Sequence, residues 1–294
     1  MTIPSPASQV HAKSLRLSVY VKGTFHETSR LAAVQRIGSP TKSRRVPQTT
    51  AALGAPFRPA SLLPYRQRNP TPLDCGHTNG SSHLKLYSYF RSSAAYRVRI
   101  ALNLKEISYE TIPIHLTKDG GRQHTSEFRT INPQARVPAL VVPNGDVLTQ
   151  SMAIIEYLDE THPEPPLLPT DAVGRAKVRA IAQAIACDIH PLNNLIALQY
   201  LRRQLKHEQA EIDAWYHHWI IEGFAALETM LGPGPYSCGT KVTLADVCLV
   251  PQVANARRLK VPLDKFPKIV AADAACLKLP AFDKARPENQ PDAE

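Results

Sequence analysis

The sequence is short of thiols, of long apolar runs and, at one end, of acids, and each shortage excludes something. Its five cysteines (Cys75, Cys187, Cys238, Cys248, Cys276) are odd in number, scattered, and form no C-x-x-C pair. Neither a disulfide framework nor a zinc site is encoded, no metal is expected, and a reducing, cytoplasmic setting is the expectation. No run approaches the roughly 18 apolar residues of a membrane span, and the N-terminus lacks the compact apolar stretch of a secretory signal, so a soluble protein with no membrane partner is expected. Residues 1–83 hold two acids against eleven Lys and Arg, whereas residues 84–294 hold 23 against 24. All but one unit of the formal net charge of +10 therefore belongs to the first 83 residues, and the high isoelectric point is no argument for a nucleic-acid partner.

What is present is enough for one or two domains: 294 residues, 43% of them hydrophobic. Before residue 84, Pro recurs at 4, 6, 40, 47, 56, 59, 64, 70 and 72, and no apolar period lasts more than a few residues. An organelle transit peptide would need an amphipathic helix, which this density of Pro opposes. A basic docking arm would need clustered charge, and Arg44-Arg45 is the only adjacent pair. A disordered basic Pro-rich extension over 1–83 is the expectation. The next Met after Met1 is Met152, so a shorter start near Leu84 would require a non-AUG codon.

After residue 84 the pattern becomes regular. Residues 84–90 alternate like a strand, and 94–104 place Ala94, Val98, Ala101 and Leu102 on one helical face with Arg97 and Arg99 off it. Residues 107–114 read as a second strand, with Pro113 marking its end or a sheet edge. A polar stretch over 117–132 leads to a strand at 137–142, Asn144-Gly145 as a type I′ turn signal, and a partner strand at 147–148. Ser151 is positioned to cap a helix through Tyr157. This β-α-β-α-β-β-α order, with Val137-Pro138 before the third strand, is that of a thioredoxin-like domain over residues 84–165. Prolines over 163–169 mark a linker. Helical periods over 172–205 and 208–231, a Thr243-x-x-Asp246 capping box and a further helix over 263–277 make residues 170–290 an all-helical domain. The fold class is α/β plus all-α.

Candidate chemistry lies in the turns of the first domain. Ser92 and Ser93 stand where strand one meets helix one, offering hydroxyls and unpaired amides to an anion. A thiolate bound there would have its pKa drawn down from about 8.5. No Cys of the chain follows in this turn, so the thiol must belong to a ligand. Gln150 and Ser151 supply a second helix N-terminus, suited to a carboxylate. Val137, before a proline whose peptide bond can be cis, offers backbone N–H and C=O to an extended peptide. Plain capping or a simple turn would account for each alone. Together they are ordered as a small acidic peptide with a thiol requires.

The run Leu86-Tyr87-Ser88-Tyr89-Phe90-Arg91-Ser92-Ser93-Ala94-Ala95-Tyr96-Arg97-Val98-Arg99-Ile100-Ala101-Leu102 strongly resembles the zeta class of glutathione transferases. The likeness continues through Lys118-Asp119-Gly120-Gly121, Asn132-Pro133, Val137-Pro138, Gln150-Ser151 and Thr243-x-Ala245-Asp246 to Asn255-Ala256, covering residues 84 to about 290. It implies the glutathione transferase fold, a homodimer and glutathione as cofactor. The implied activity is cis–trans isomerisation of maleylacetoacetate to fumarylacetoacetate in tyrosine and phenylalanine catabolism. The thiolate adds to the conjugated double bond, the resulting single bond rotates, and elimination follows.

By the same resemblance, Ser92 would hydrogen-bond the thiolate with Ser93 in support. Gln150 and Ser151 would hold the γ-glutamyl end, Val137 with Pro138 the cysteinyl backbone, and Gln123 the glycine end. His190 and Asn194 stand where relatives have polar glutathione contacts, a satisfied interior histidine being the other reading of His190. Arg258 and Arg91 would meet the two acidic groups of the substrate, although a solvated surface charge explains either as well. The class usually has Cys and Trp where Ala94 and Tyr96 stand here. That departure leaves room for maleylpyruvate as substrate, or for general transferase action on small α-haloacids. A non-catalytic protein-interaction module is the alternative of another class, which glutathione-agarose binding would separate.

Overall fold

A computed structural model describes residues 83–294; the expected extension over 1–83 lies, but for His83, outside the described residues. Leu84–Ser88 forms β1, Tyr109–Pro113 β2, Ala139–Val141 β3 and Val147–Thr149 β4, in the sheet order β2-β1-β3-β4. β1 and β2 are parallel, while β1/β3 and β3/β4 are antiparallel. Ser93–Leu104 (α1) crosses over between the parallel strands, Ser126–Ile131 is α2 and Ser151–Thr161 is α3. The period-2 alternation of β1 assigns the two faces. Leu84 and Leu86 enter a core with α1 and α3, while Tyr87 packs on Phe128 of α2, ring centroids 5.8 Å apart. Pro113 pairs with Ser88 at the end of the outermost strand, where its missing N–H costs no ladder bond.

The rest is helical: α4 (Ala172–Gln183), a π-helical segment (Ala184–Ile189), α5 (His190–Asn193), α6 (Leu195–Arg203), α7 (Gln209–Met230), α8 (Leu244–Arg258), α9 (Pro267–Cys276) and α10 (Pro280–Ala285). α8 is buried along most of its length and packs on α1, α4 and α9. One apolar core runs from the sheet through α1 and α8 to α10. The linker is pinned by Lys105, whose ammonium donates to Asp159 at 2.6 Å and to the Pro165 carbonyl at 2.7 Å. The expected capping box of Thr243 with Asp246 forms at α8, and α7 has a further one, Glu208 with Glu211.

The structure corrects several expectations. The helix expected over 172–205 is broken. The chain widens into a π-helix before Pro191, which has no N–H to give. Asn194 then leaves the helix (φ −68°, ψ 149°) to cap α6, its Oδ1 accepting the Ile196 N–H at 3.1 Å. The hairpin turn is not type I′. Pro143 takes the first central position, the Val142 carbonyl accepts from Gly145 N–H at 2.8 Å, and Gly145 sits at φ 90°, a type I turn closed by a glycine bulge. α9 begins at Pro267 rather than 263, because proline is accepted at the first helical position and not inside. Arg97 and Arg99, expected off the apolar face of α1, are buried, since α1 is packed by α3, α8 and α10 together.

Candidate functional site

Ser92 has extended backbone (φ −70°, ψ 113°) and caps α1, its Oγ accepting the Ala95 N–H at 3.2 Å. An oxygen that accepts in this way keeps its own hydrogen to donate outward. Ser93, the first residue of α1, is buried, with Oγ 3.1 Å from His190 Nδ1. His190 Nε2 in turn lies 3.1 Å from Asn194 Nδ2. Because Asn194 Oδ1 is engaged by the Ile196 N–H, the group facing His190 is the amide NH₂, a donor only. Nε2 therefore accepts, the proton of the neutral ring is on Nδ1, and Nδ1–H donates to Ser93 Oγ. Desolvation, with the charges of Arg97 and then Arg136, depresses the His190 pKa to about 3, so the ring is neutral at physiological pH. Ser93 is left, like Ser92, with a hydroxyl hydrogen to give.

The Val137-Pro138 peptide bond is cis, and Val137 N–H and C=O make no hydrogen bond among the described residues. Across from them, Gln150 adopts φ 68° and gives α3 no side-chain cap. Its amide instead donates to Gln134 Oε1 at 2.8 Å. Ser151 is the first residue of α3, and its Oγ accepts from Arg97 Nη1 at 3.3 Å. Gln123 is buried and turned inward: Nε2 donates to the Leu116 carbonyl at 3.1 Å while Oε1 has no partner. That free acceptor suits an amide N–H rather than a carboxylate.

The structure thus draws together the N-termini of α1 and α3, the Val137 loop and the α5–α6 junction. The Ser93–His190–Asn194 chain and the Arg97–Ser151 bond tie them, and Arg136 beside Val137 acts electrostatically on His190. Arg91 is exposed, with its guanidinium 4.8 Å from the Phe90 ring centre. Arg258 is exposed in the last turn of α8, within 3.4 Å of Asn255 Oδ1. No hydrogen bond among the described residues joins either Arg to the serine cluster. Sequence reasoning missed Arg97, Gln134 and Arg136 as members of this region. Only the position of Gln134 and Arg136 beside Val137-Pro138 hinted at the last two.

Burial keeps three of the chain's thiols protonated. Burial pushes the Cys248 thiol up to about 11, and its S–H faces Met152 Sδ at 3.6 Å. Burial raises Cys238 and Cys276 as well. No group of His, Cys, Asp and Glu among the described residues could hold a metal ion, and no helix there is long and apolar enough to cross a membrane. Two helix N-termini, free hydroxyl hydrogens, an open peptide edge and a buried guanidinium fit an acidic peptide bearing a thiol.

Comparison with known proteins agrees. Residues 82–160 match the model of the glutathione S-transferase N-terminal domain and residues 212–276 that of the C-terminal domain. A probable maleylacetoacetate isomerase of Vibrio cholerae is 50% identical over 213 residues, 71% of this chain and 98% of that protein. A holo structure of maleyl pyruvate isomerase, a bacterial zeta-class glutathione S-transferase, is 48% identical with a TM-score of 0.69, covering 71% of this chain and all of that one. The maleylacetoacetate isomerase of Anaeromyxobacter dehalogenans 2CP-1, solved with glutathione in its active site, is 42% identical with a TM-score of 0.66, covering 73% of this chain and all of that one.

Proposed function

The chain belongs to the zeta class of glutathione S-transferases, and on that footing we propose that it is an isomerase converting maleylacetoacetate to fumarylacetoacetate with glutathione as coenzyme. We infer further that it acts in tyrosine and phenylalanine catabolism, as a cytoplasmic homodimer, in keeping with the generally soluble and dimeric character of its family.

The observation that carries this reading is the pair of serine hydroxyls at the N-terminus of α1, one of them locked by a neutral histidine. Bound glutathione supplies the thiolate that adds to the conjugated cis double bond and departs after rotation. Ser92 donates its hydroxyl hydrogen toward that sulfur, and the partial positive charge of the α1 N-terminus lies behind it. Ser93, fixed by His190 Nδ1–H, offers a second donor. The neutral His190 has no proton to release near neutral pH, so it orients Ser93 and is not an acid catalyst. Val137 pairs with the cysteinyl backbone, Gln150 and Ser151 hold the γ-glutamyl end, Gln123 Oε1 accepts from the glycyl amide, and Asn194 fixes His190. Arg258 and Arg91 meet the substrate carboxylates.

A second substrate, maleylpyruvate, is supported by the likeness to the maleyl pyruvate isomerase structure. The domain division at 84–165 and 170–290 follows the change from sheet to helices around the linker. Rates on both cis substrates, measured with and without glutathione, test the proposal. A rate dependent on glutathione is expected, and equal rates without it would overturn the mechanism. Light scattering from the purified protein would check the dimer.

A further inference from the structure

Arg97 and Arg99 lie two positions apart on α1, both almost wholly inaccessible, and they are treated differently. Arg99 is well engaged, donating to the Ala285 and Phe90 carbonyls and to Ser88 Oγ at 3.0–3.1 Å. Arg97, 1% exposed, makes a single hydrogen bond, from Nη1 to Ser151 Oγ at 3.3 Å. Its Nε and Nη2 are buried without a partner among the described residues. None of the ion pairs there includes it, and the titratable groups that bear on it are the thiols of Cys248 and Cys187. Burial lowers its pKa, yet a guanidinium stays charged in a protein. An isolated buried cation is costly to fold around, and helix capping does not explain it.

A second observation meets it at the same place. α3 is eleven residues long and begins uncapped, Gln150 having turned to φ 68° with its side chain on Gln134. The first amides of α3 are thus not covered by a side chain, and they converge with the Arg97 guanidinium on Ser151. Because Ser151 Oγ accepts from Arg97, its hydrogen points away from the cation.

We propose that Arg97 is a positioning residue: the buried counter-charge for the α-carboxylate at the γ-glutamyl end of glutathione, acting through the Ser151 hydroxyl. It rests on the assignment of Ser151 to that end of the coenzyme. The carboxylate accepts from Ser151 O–H and the open amides of α3, while Arg97 stands behind the hydroxyl and polarises it.

The test compares two peptides, glutathione and γ-aminobutyryl-cysteinyl-glycine, which lacks only the α-carboxylate in question. Their affinities are measured by calorimetry on the full chain and on Arg97→Met, Arg97→Lys and Ser151→Ala. The unaltered protein is expected to prefer glutathione by about 100-fold, with that preference falling below about 5-fold in Arg97→Met and partly recovering in Arg97→Lys. A purely structural Arg97 would weaken both peptides alike and leave their ratio unchanged, which overturns the proposal. So would equal binding of the two peptides by the unaltered protein. Should Arg97→Met fail to fold, the ratio in Arg97→Lys decides: lowered from that of the unaltered protein, it supports the proposal, and unchanged, it refutes it. Failure of the unaltered protein to bind glutathione at all would instead remove the assignment of Ser151, a distinguishable outcome.

Discussion

Asn194 Nδ2 donates to His190 Nε2 across 3.1 Å, and that one bond decides which nitrogen of the ring carries the proton. With Asn194 Oδ1 capping α6, the ring can only be neutral and protonated on Nδ1, and Ser93 receives that hydrogen. A single asparagine thereby couples the start of α6 to the start of α1.

The coupling has a pH signature. His190 is held at about 3 in the fold by desolvation, Arg97 and Arg136, against about 6.5 in an unfolded chain. Between those values the unfolded state binds the extra proton, so this contribution to stability is complete above about 6.5 and shrinks as pH falls toward 3. The slope approaches about 1.4 kcal/mol per pH unit. Urea denaturation from neutrality down to about pH 4.5 is expected to show the unaltered protein losing more stability than His190→Gln.

Ser92→Ala separates capping from chemistry. Loss of the Ala95 contact costs about 1 kcal/mol of stability, whereas loss of the donor to the thiolate lowers kcat by about 10²–10³. Denaturation and steady-state rates on one preparation give both values, and ultraviolet titration of bound glutathione would show a higher thiol pKa in the variant. An unchanged rate would remove Ser92 from the site.

Arg258→Lys keeps the charge but loses the fork. The expected result is a rise in substrate KM of about 10-fold with glutathione affinity unaltered by calorimetry. A change confined to glutathione would reassign Arg258 to the coenzyme.

Gly223 on α7 leaves room for the π-helical segment. A Cβ there would stand 2.3 Å from Ile189 Cδ1 and Cγ1, next to His190 in sequence. Gly223→Ala is therefore expected to destabilise by about 1–3 kcal/mol despite its better helix propensity, and to slow catalysis by displacing His190. Combining it with Ile189→Ala should cost less than the two single changes added together, as read from urea midpoints.

Much of this was legible beforehand. The period-2 run of β1, the period of α7 and the Thr243/Asp246 box each report a local cause, and each formed where expected. The two helix N-termini were legible for the same reason. The burial of Arg97 and Arg99 was not, because helical periodicity assigns every Arg to solvent and cannot see α8 and α10 arriving from 150 to 190 residues further along. The break before His190 was half-legible through Pro191, but the widening that precedes it lies against a different helix, where Ile189 fills the space left by Gly223 of α7. Pro143 defeated the Asn-Gly rule by dictating φ one residue earlier.

The contacts of α1 also set an order of events. Arg99 closes on the Ala285 carbonyl, Asn103 on the Ala281 carbonyl, and the Phe90 N–H, beside the serines, on Asp292 Oδ2, across 186, 178 and 202 positions of sequence. Such long closures are the slow ones in folding. A ribosome that has made the whole sheet has not yet made what seats α1. The turn that carries Ser92 and Ser93 is encoded near the start of the described residues, and the contacts that seat it form only when residues 281–292 emerge.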